Sequence, residues 1–108
     1  MTERVGIVFR VKPGKAAEYD RRHATIWPEL AKEMADAGLE RYVIYRWGEV
    51  LIGHLEVGDY AAFSATMAAS EVARRWDLEM DDLIECPNAD PVTGWPERMH
   101  EVWSQGYD

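Results

Sequence analysis

The chain is poor in cations, in sulfur and in long apolar runs. Its 108 residues carry 12 Lys and Arg against 20 Asp and Glu, a formal net charge of −8. That balance argues against nucleic acid and anionic membrane surfaces as partners, since both attract Lys and Arg. No run of about 18 apolar residues is present to span a bilayer. The single cysteine, Cys86, has no internal partner for a disulfide, which suits the cytoplasm. The opening "MTERVGIVFRV" holds acidic Glu3 and enters a strand pattern at once, unlike a secretory leader. His23, His54 and His100 lack the His/Cys/Asp spacing of a zinc site, and G-x-S-x-G, P-loop and G-x-G-x-x-G motifs are missing. Any chemistry is therefore expected to need neither metal nor organic cofactor and to run on acid–base side chains.

What the chain does hold is 47% hydrophobic residues, with five Trp and five Tyr. Its length fits one domain, residues 1–108. Residues 4–11, "RVGIVFRV", alternate as a strand, with Val5, Ile7, Phe9 and Val11 on one side. From Ala16 to Ala37 apolar positions recur at helical spacing, which predicts one long helix kinked at Pro28 and stopped by Gly38. Strands follow at 41–47 and 49–57, joined at Gly48 by a tight hairpin. Residues 59–84 are helical in pattern, with Asp59 as an N-cap and Ser70 as a cap for a second segment. The Pro-rich stretch 85–97 reads as a loop, and the alternation of 98–105 as a final strand.

The predicted order is β-α-β-β-α-β. It fits an α+β fold of the ferredoxin-like kind, a four-stranded antiparallel sheet with both helices on one face. The other sheet face then needs a cover. Val8, Tyr42, Ile44, Ile52 and Val102 are expected there, with Arg10, Arg46 and His54 among them. So mixed a surface fits a homodimer with a pocket between sheet and helices.

The most unusual stretch is "EYDRRHATIWPEL", residues 18–30. It sets Tyr19, His23 and Trp27 four residues apart on one helical face, with Arg21 and Arg22 alongside. A histidine so placed is usually a hydrogen-bonded core residue, but crowding by long polar side chains favours a polar ligand. Pro28 reads either as the first residue of a second helical segment, where its missing N–H costs nothing, or as a device that splays Trp27 and bares the Ala24 carbonyl. The first is the simpler cause. In "RRWDLEM", residues 74–80, Trp76 is either core beside an exposed Arg74–Asp77 pair or a flat platform for a sugar ring, with Asp77 accepting a hydroxyl.

The helix motif Y-x-R-R-H-x-x-I-W-P-E closely resembles the signature of the L-rhamnose mutarotase family, cofactor-free enzymes that interconvert the α and β anomers of 6-deoxy sugars. "YVIY", "RRW" and "PNADPV" extend the resemblance over nearly the whole chain. It implies a dimeric α+β barrel, a cytoplasmic homodimer and a monosaccharide substrate of the L-rhamnose or L-fucose type. Carried over by position, the general acid falls on His23 and the substrate contacts on Tyr19, Tyr42 and Trp76. Asp77 stands where the rhamnose enzymes carry a second tryptophan, and the hairpin at "RWGEV" and the C-terminal "GWPERMHEVWSQGYD" also depart from their pattern. Asp77 is thus the expected point of altered sugar choice. Two rivals are a cofactor-free barrel oxygenase or cyclase acting on an aromatic substrate, and a non-enzymatic binding module.

Overall fold

A computed structural model of the chain describes residues 2–106. Its elements are β1 (Glu3–Val11), α1 (Ala16–His23), α2 (Pro28–Asp36), β2 (Leu39–Trp47), β3 (Val50–Val57), α3 (Tyr60–Ala68), α4 (Glu71–Met80) and β4 (Ile84–Glu85). The strands form one antiparallel sheet in the order β2-β3-β1-β4. This is the expected ferredoxin-like α+β arrangement, with β3 inserted between β1 and β2.

Local chemistry explains the breaks. Pro28 disfavours a helical conformation at the residue before it, and Trp27 is extended there (φ −58°, ψ 128°). The predicted single helix is therefore two, α1 ending at His23 and α2 starting with Pro28 at its first position. Asp59 accepts from the Ala62 N–H at 3.0 Å and Ser70 from the Ala73 N–H at 3.1 Å, so each caps its helix. Such caps contribute about 1 kcal/mol apiece. Gly48, at φ +60°, occupies the first central position of the two-residue β2–β3 turn, where a side chain would be strained.

Two parts of the expected sheet are corrected. Residues 98–105 form no strand, and Val102 is 88% exposed. The fourth strand is the short Ile84–Glu85, paired to Arg10 and Val11. Prolines at 87, 91 and 96 lack the N–H that a longer ladder needs. The remaining edge of β1 is covered piecemeal. Asn88 Nδ2 donates to the Val8 carbonyl (3.0 Å), the Met99 N–H to that of Gly6 (2.7 Å) and Arg98 to that of Arg4 (3.2 Å).

The second correction concerns β2. Register pairs Tyr42 with Leu55, Ile44 with Gly53 and Arg46 with Leu51. Leu51, Gly53 and Leu55 are buried under the helices, so Tyr42, Ile44 and Arg46 lie on the helix side and not on the open face. Val43, Tyr45 and Trp47 take the open face instead, beside Ile52 and His54 of β3; Val8 and Arg10 of β1 lie there as expected. Both faces of β2 are apolar, and only pairing with the cleanly alternating β3 decides between them.

The core lies between sheet and helices in two clusters. Val5, Ile7, Leu55, Val57, Phe63 and Met67 form the larger one, and Val11, Tyr19, Leu51, Met80 and Leu83 the smaller. Phe9 and Trp76 are half-buried and pack against both.

Candidate active site

A cavity of about 840 Å³ opens between the helices and the inner sheet face. Its wall includes Tyr19, Asp20 and His23 of α1, Tyr42, Ile44 and Arg46 of β2, and Trp76 and Asp77 of α4. All five residues singled out from the sequence thus meet around one space. The misassignment of Tyr42 to the open face is what turning β2 over puts right, since only the inner face reaches the cavity.

Tyr19 and His23 are one helical turn apart and stack, ring centroids 3.9 Å apart and planes inclined by 23°. Trp76 meets His23 edge-on at 5.4 Å and Trp27 at 5.1 Å, both contacts nearly perpendicular. Trp27 therefore does not continue the Tyr19–His23 stripe; it buttresses Trp76 from the position just before α2. His23 Nδ1 lies 3.2 Å from the Tyr19 carbonyl. A carbonyl only accepts, so Nδ1 carries the proton and Nε2 of the neutral ring keeps its lone pair. Burial pushes the His23 pKa down, opposed by that hydrogen bond and by the charge of Asp20.

The phenols serve differently. Tyr19 is 3% exposed, and its hydroxyl is buried with no hydrogen-bond partner among the described residues. Burial pushes both Tyr19 and Tyr42 up, so each keeps its proton as a donor at any ordinary pH. Asp77 sits at the exposed rim without an ion-pair partner among the described residues; partial desolvation raises its carboxyl. The Arg74–Asp77 pair, one of the two readings of this helix, does not form, and the neighbouring Arg75 reaches Glu29.

Arg21 and Arg22 do not line the cavity. Both bind Glu18, and Arg22 extends to Asp82 and the Glu79 carbonyl, which ties α1 to the end of α4. Three features of the site were not foreseen, two in the wall and one behind it. One is the bidentate Asp20–Arg46 pair. The second is the loop carrying Cys86, Gly94 and Trp95, in which burial raises the Cys86 thiol and Asn88 accepts its hydrogen. The third is Gly53: a Cβ there would stand 2.8 Å from Ile7 Cγ1 and 3.1 Å from Tyr42 Cε1. The bare backbone lets the Tyr42 ring lie close over the sheet.

Comparison with known proteins places these residues in a family context. The family profile for L-rhamnose mutarotase matches residues 4–105. A relative from Mesorhizobium japonicum, named L-rhamnose mutarotase, is 35% identical over 105 residues, covering 94% of this chain and 99% of its own. Among solved structures, an L-rhamnose mutarotase from Formosa agariphila superposes with a TM-score of 0.75 at 23% identity, covering 96% of this chain and 99% of that one. Tetracenomycin F2 cyclase from Streptomyces glaucescens, a type-II polyketide cyclase, follows at TM-score 0.60 and 18% identity, covering 98% and 99%. These two structures share the fold.

Proposed function

The chain belongs to the L-rhamnose mutarotase family and is a sugar mutarotase, and from that premise we propose that it interconverts the α and β anomers of a 6-deoxyhexose, L-rhamnose or L-fucose, with His23 moving the proton. The observation that carries the reading is the Tyr19–His23 stack in the cavity wall, with Nδ1 held by the Tyr19 carbonyl and Nε2 left free.

Ring opening needs a base for the anomeric hydroxyl and an acid for the ring oxygen. Nε2 takes the anomeric O–H proton as the C1=O bond forms and the bond from C1 to the ring oxygen breaks. The imidazolium then returns its proton to the ring oxygen. Rotation about C1–C2 and the reverse sequence close the other anomer. Histidine suits both half-steps because its pKa lies near the working pH. Tyr42 donates a hydrogen bond to a sugar oxygen. Tyr19, whose hydroxyl has no partner among the described residues, does the same when a small shift opens that hydroxyl to the cavity its ring lines. Trp76 offers its ring to the apolar C–H face of the sugar, and Asp77 accepts from a hydroxyl at the rim. The cyclase likeness is one of fold, whereas the family profile spans residues 4–105, with His23 and the rest of the candidate site inside it.

The working unit is a homodimer. Val43, Tyr45, Trp47 and Ile52 are 36%, 64%, 85% and 44% exposed on the open sheet face. Isolated soluble domains seldom leave so large an apolar patch in water. A second copy packed sheet to sheet covers it and makes the dimeric α+β barrel; sedimentation equilibrium giving a mass near 12.4 kDa would refute it. A single-cysteine enzyme acting on a free monosaccharide fits the cytoplasm.

Saturation transfer between anomeric protons tests the reaction directly. The parent is expected to exchange L-rhamnose or L-fucose anomers above the spontaneous rate, and His23→Ala to lose about 10²–10⁴ of that gain. Exchange by His23→Ala at the parent rate removes His23 from the mechanism.

A further inference from the structure

One ion pair sits in the cavity wall with both its members. Arg46 Nε donates to Asp20 Oδ1 at 2.8 Å, and Nη2 donates to Oδ2 at 2.5 Å, a two-pronged contact between β2 and α1. Nη1 donates to the Gly48 carbonyl at 2.8 Å. The two side chains are 31% and 51% exposed, so the pair is open to whatever fills the cavity. Among the described residues no other ion pair contributes both partners to this wall.

A guanidinium has five N–H donors, and three are used here, which leaves one on each terminal nitrogen. Each carboxylate oxygen receives one of the prongs and keeps acceptor capacity. The pair therefore presents free donors next to free acceptors with no net charge. A hydroxyl both donates and accepts, so two adjacent hydroxyls match this surface. An anionic group does not, because the guanidinium is already neutralised and Asp77 and Asp81 line the same cavity. Asp20 also lies three residues before His23, on the neighbouring face of α1. His23, Asp20 and Arg46 line the same cavity, so a sugar with its anomeric carbon at His23 shares that space with the fork.

We propose that the Asp20–Arg46 fork is the hydroxyl-reading wall of the site, taking a vicinal diol of the neutral sugar, with Arg46 donating to one hydroxyl and Asp20 accepting from the other. The proposal rests on the mutarotase reading above and adds to it the residues that select the sugar. A purely structural tether is the competing account, but an ion pair this exposed contributes little to stability.

The test compares the parent with the double variant Asp20→Ala/Arg46→Leu, which leaves neither charge unpaired. KM for anomer exchange is measured on L-rhamnose, L-fucose and singly deoxygenated versions of whichever sugar is turned over. Loss of hydrogen bonds to a charged fork is expected to raise KM about 10- to 100-fold, with the loss falling on KM more than on kcat. The parent should also handle one deoxy sugar worse than its full counterpart, and the double variant should handle the two alike. An unchanged KM overturns the proposal. So does a KM raised equally for full and deoxy sugars with that preference intact, which is the signature of a tether. A parent that exchanges no anomers of any sugar tested overturns the function itself, and the fork with it.

Discussion

Gly53→Ala is a one-methyl test of how the cavity is shaped. The added Cβ would stand 2.8 Å from Ile7 Cγ1, 3.1 Å from Tyr42 Cε1 and 3.2 Å from Ile7 Cδ1. Contacts this short force something to move, and overpacking a core typically costs about 1–3 kcal/mol. Alanine in place of glycine inside a strand returns about 0.5–1 kcal/mol. Which neighbour moves decides the outcome. Ile7 is fully buried in the larger core cluster, whereas Tyr42 borders open cavity. The 2.8 Å contact is with Ile7, so Ile7 must shift within its core whatever Tyr42 does, and the Tyr42 ring, at 3.1 Å, also swings into the cavity. The net destabilisation settles at about 1–2 kcal/mol, each kcal/mol being a drop of about 4–8 °C in Tm. Function suffers more. Misplacing a substrate-holding group by about 1 Å can cost roughly 10²-fold, so kcat/KM for anomer exchange should fall about 10- to 100-fold. Thermal melting and saturation-transfer exchange on the same sample read both effects. Parent-like exchange with a large loss of Tm would mean that the strain falls on Ile7 alone and the Tyr42 ring keeps its place. Parent values of both would mean that Tyr42 does not lie over Gly53.

How far the sequence carried depended on whether each feature was local. The caps at Asp59 and Ser70 and the turn at Gly48 are written in two to four adjacent residues, and all three form as expected. The Tyr19–His23 stack follows from four-residue spacing on one helix. Trp27 shares that spacing but not the helix, because Pro28 acts through the conformation of the residue before it and closes α1 at His23. Features joining distant segments were not legible. The face of β2 depends on register with β3, since Tyr42, Ile44, Val43 and Tyr45 leave both faces apolar. The alternation of 98–105 imitates a strand, yet the prolines before it leave β1 a two-residue partner and a few single hydrogen bonds. The Asp20–Arg46 fork spans 26 positions and has no motif of its own. The five candidate residues nevertheless converge on one cavity, because four of them lie on α1 and α4 with their spacing fixed by the helix, and Tyr42 reaches it once β2 is turned inward.

Three further outcomes follow from the site. Tyr19→Phe removes a buried hydroxyl that has no partner among the described residues, so Tm should stay at the parent value or rise while exchange slows; a clear loss of Tm would mean that the hydroxyl is bonded within the fold. Asp77→Trp replaces a rim carboxylate by an indole and should shift the L-rhamnose to L-fucose preference, since a hydroxyl-bonding site discriminates more sharply than an apolar wall. An unchanged ratio would show that position 77 does not read the sugar. The pH profile tests the proton path. With Nδ1 bonded to the Tyr19 carbonyl, the working form of His23 is neutral, its Nε2 ready to accept. Burial lowers the folded pKa below 6.5, so this form prevails at neutral pH and protonation removes it only in acid. Two features keep the imidazolium reachable as an intermediate: the Asp20 charge, and the position of His23 in the last turn of α1, where the helix dipole favours a cation. Expected kcat/KM is therefore level through neutral pH and falls as pH drops below 6.5. Stability moves the same way. The unfolded chain takes up the His23 proton first, so the contribution of the buried neutral ring is present above 6.5 and is lost as pH falls below it. A rate that climbs as pH falls through 6.5 would show that the resting enzyme needs the imidazolium, and the base role of Nε2 would have to be abandoned.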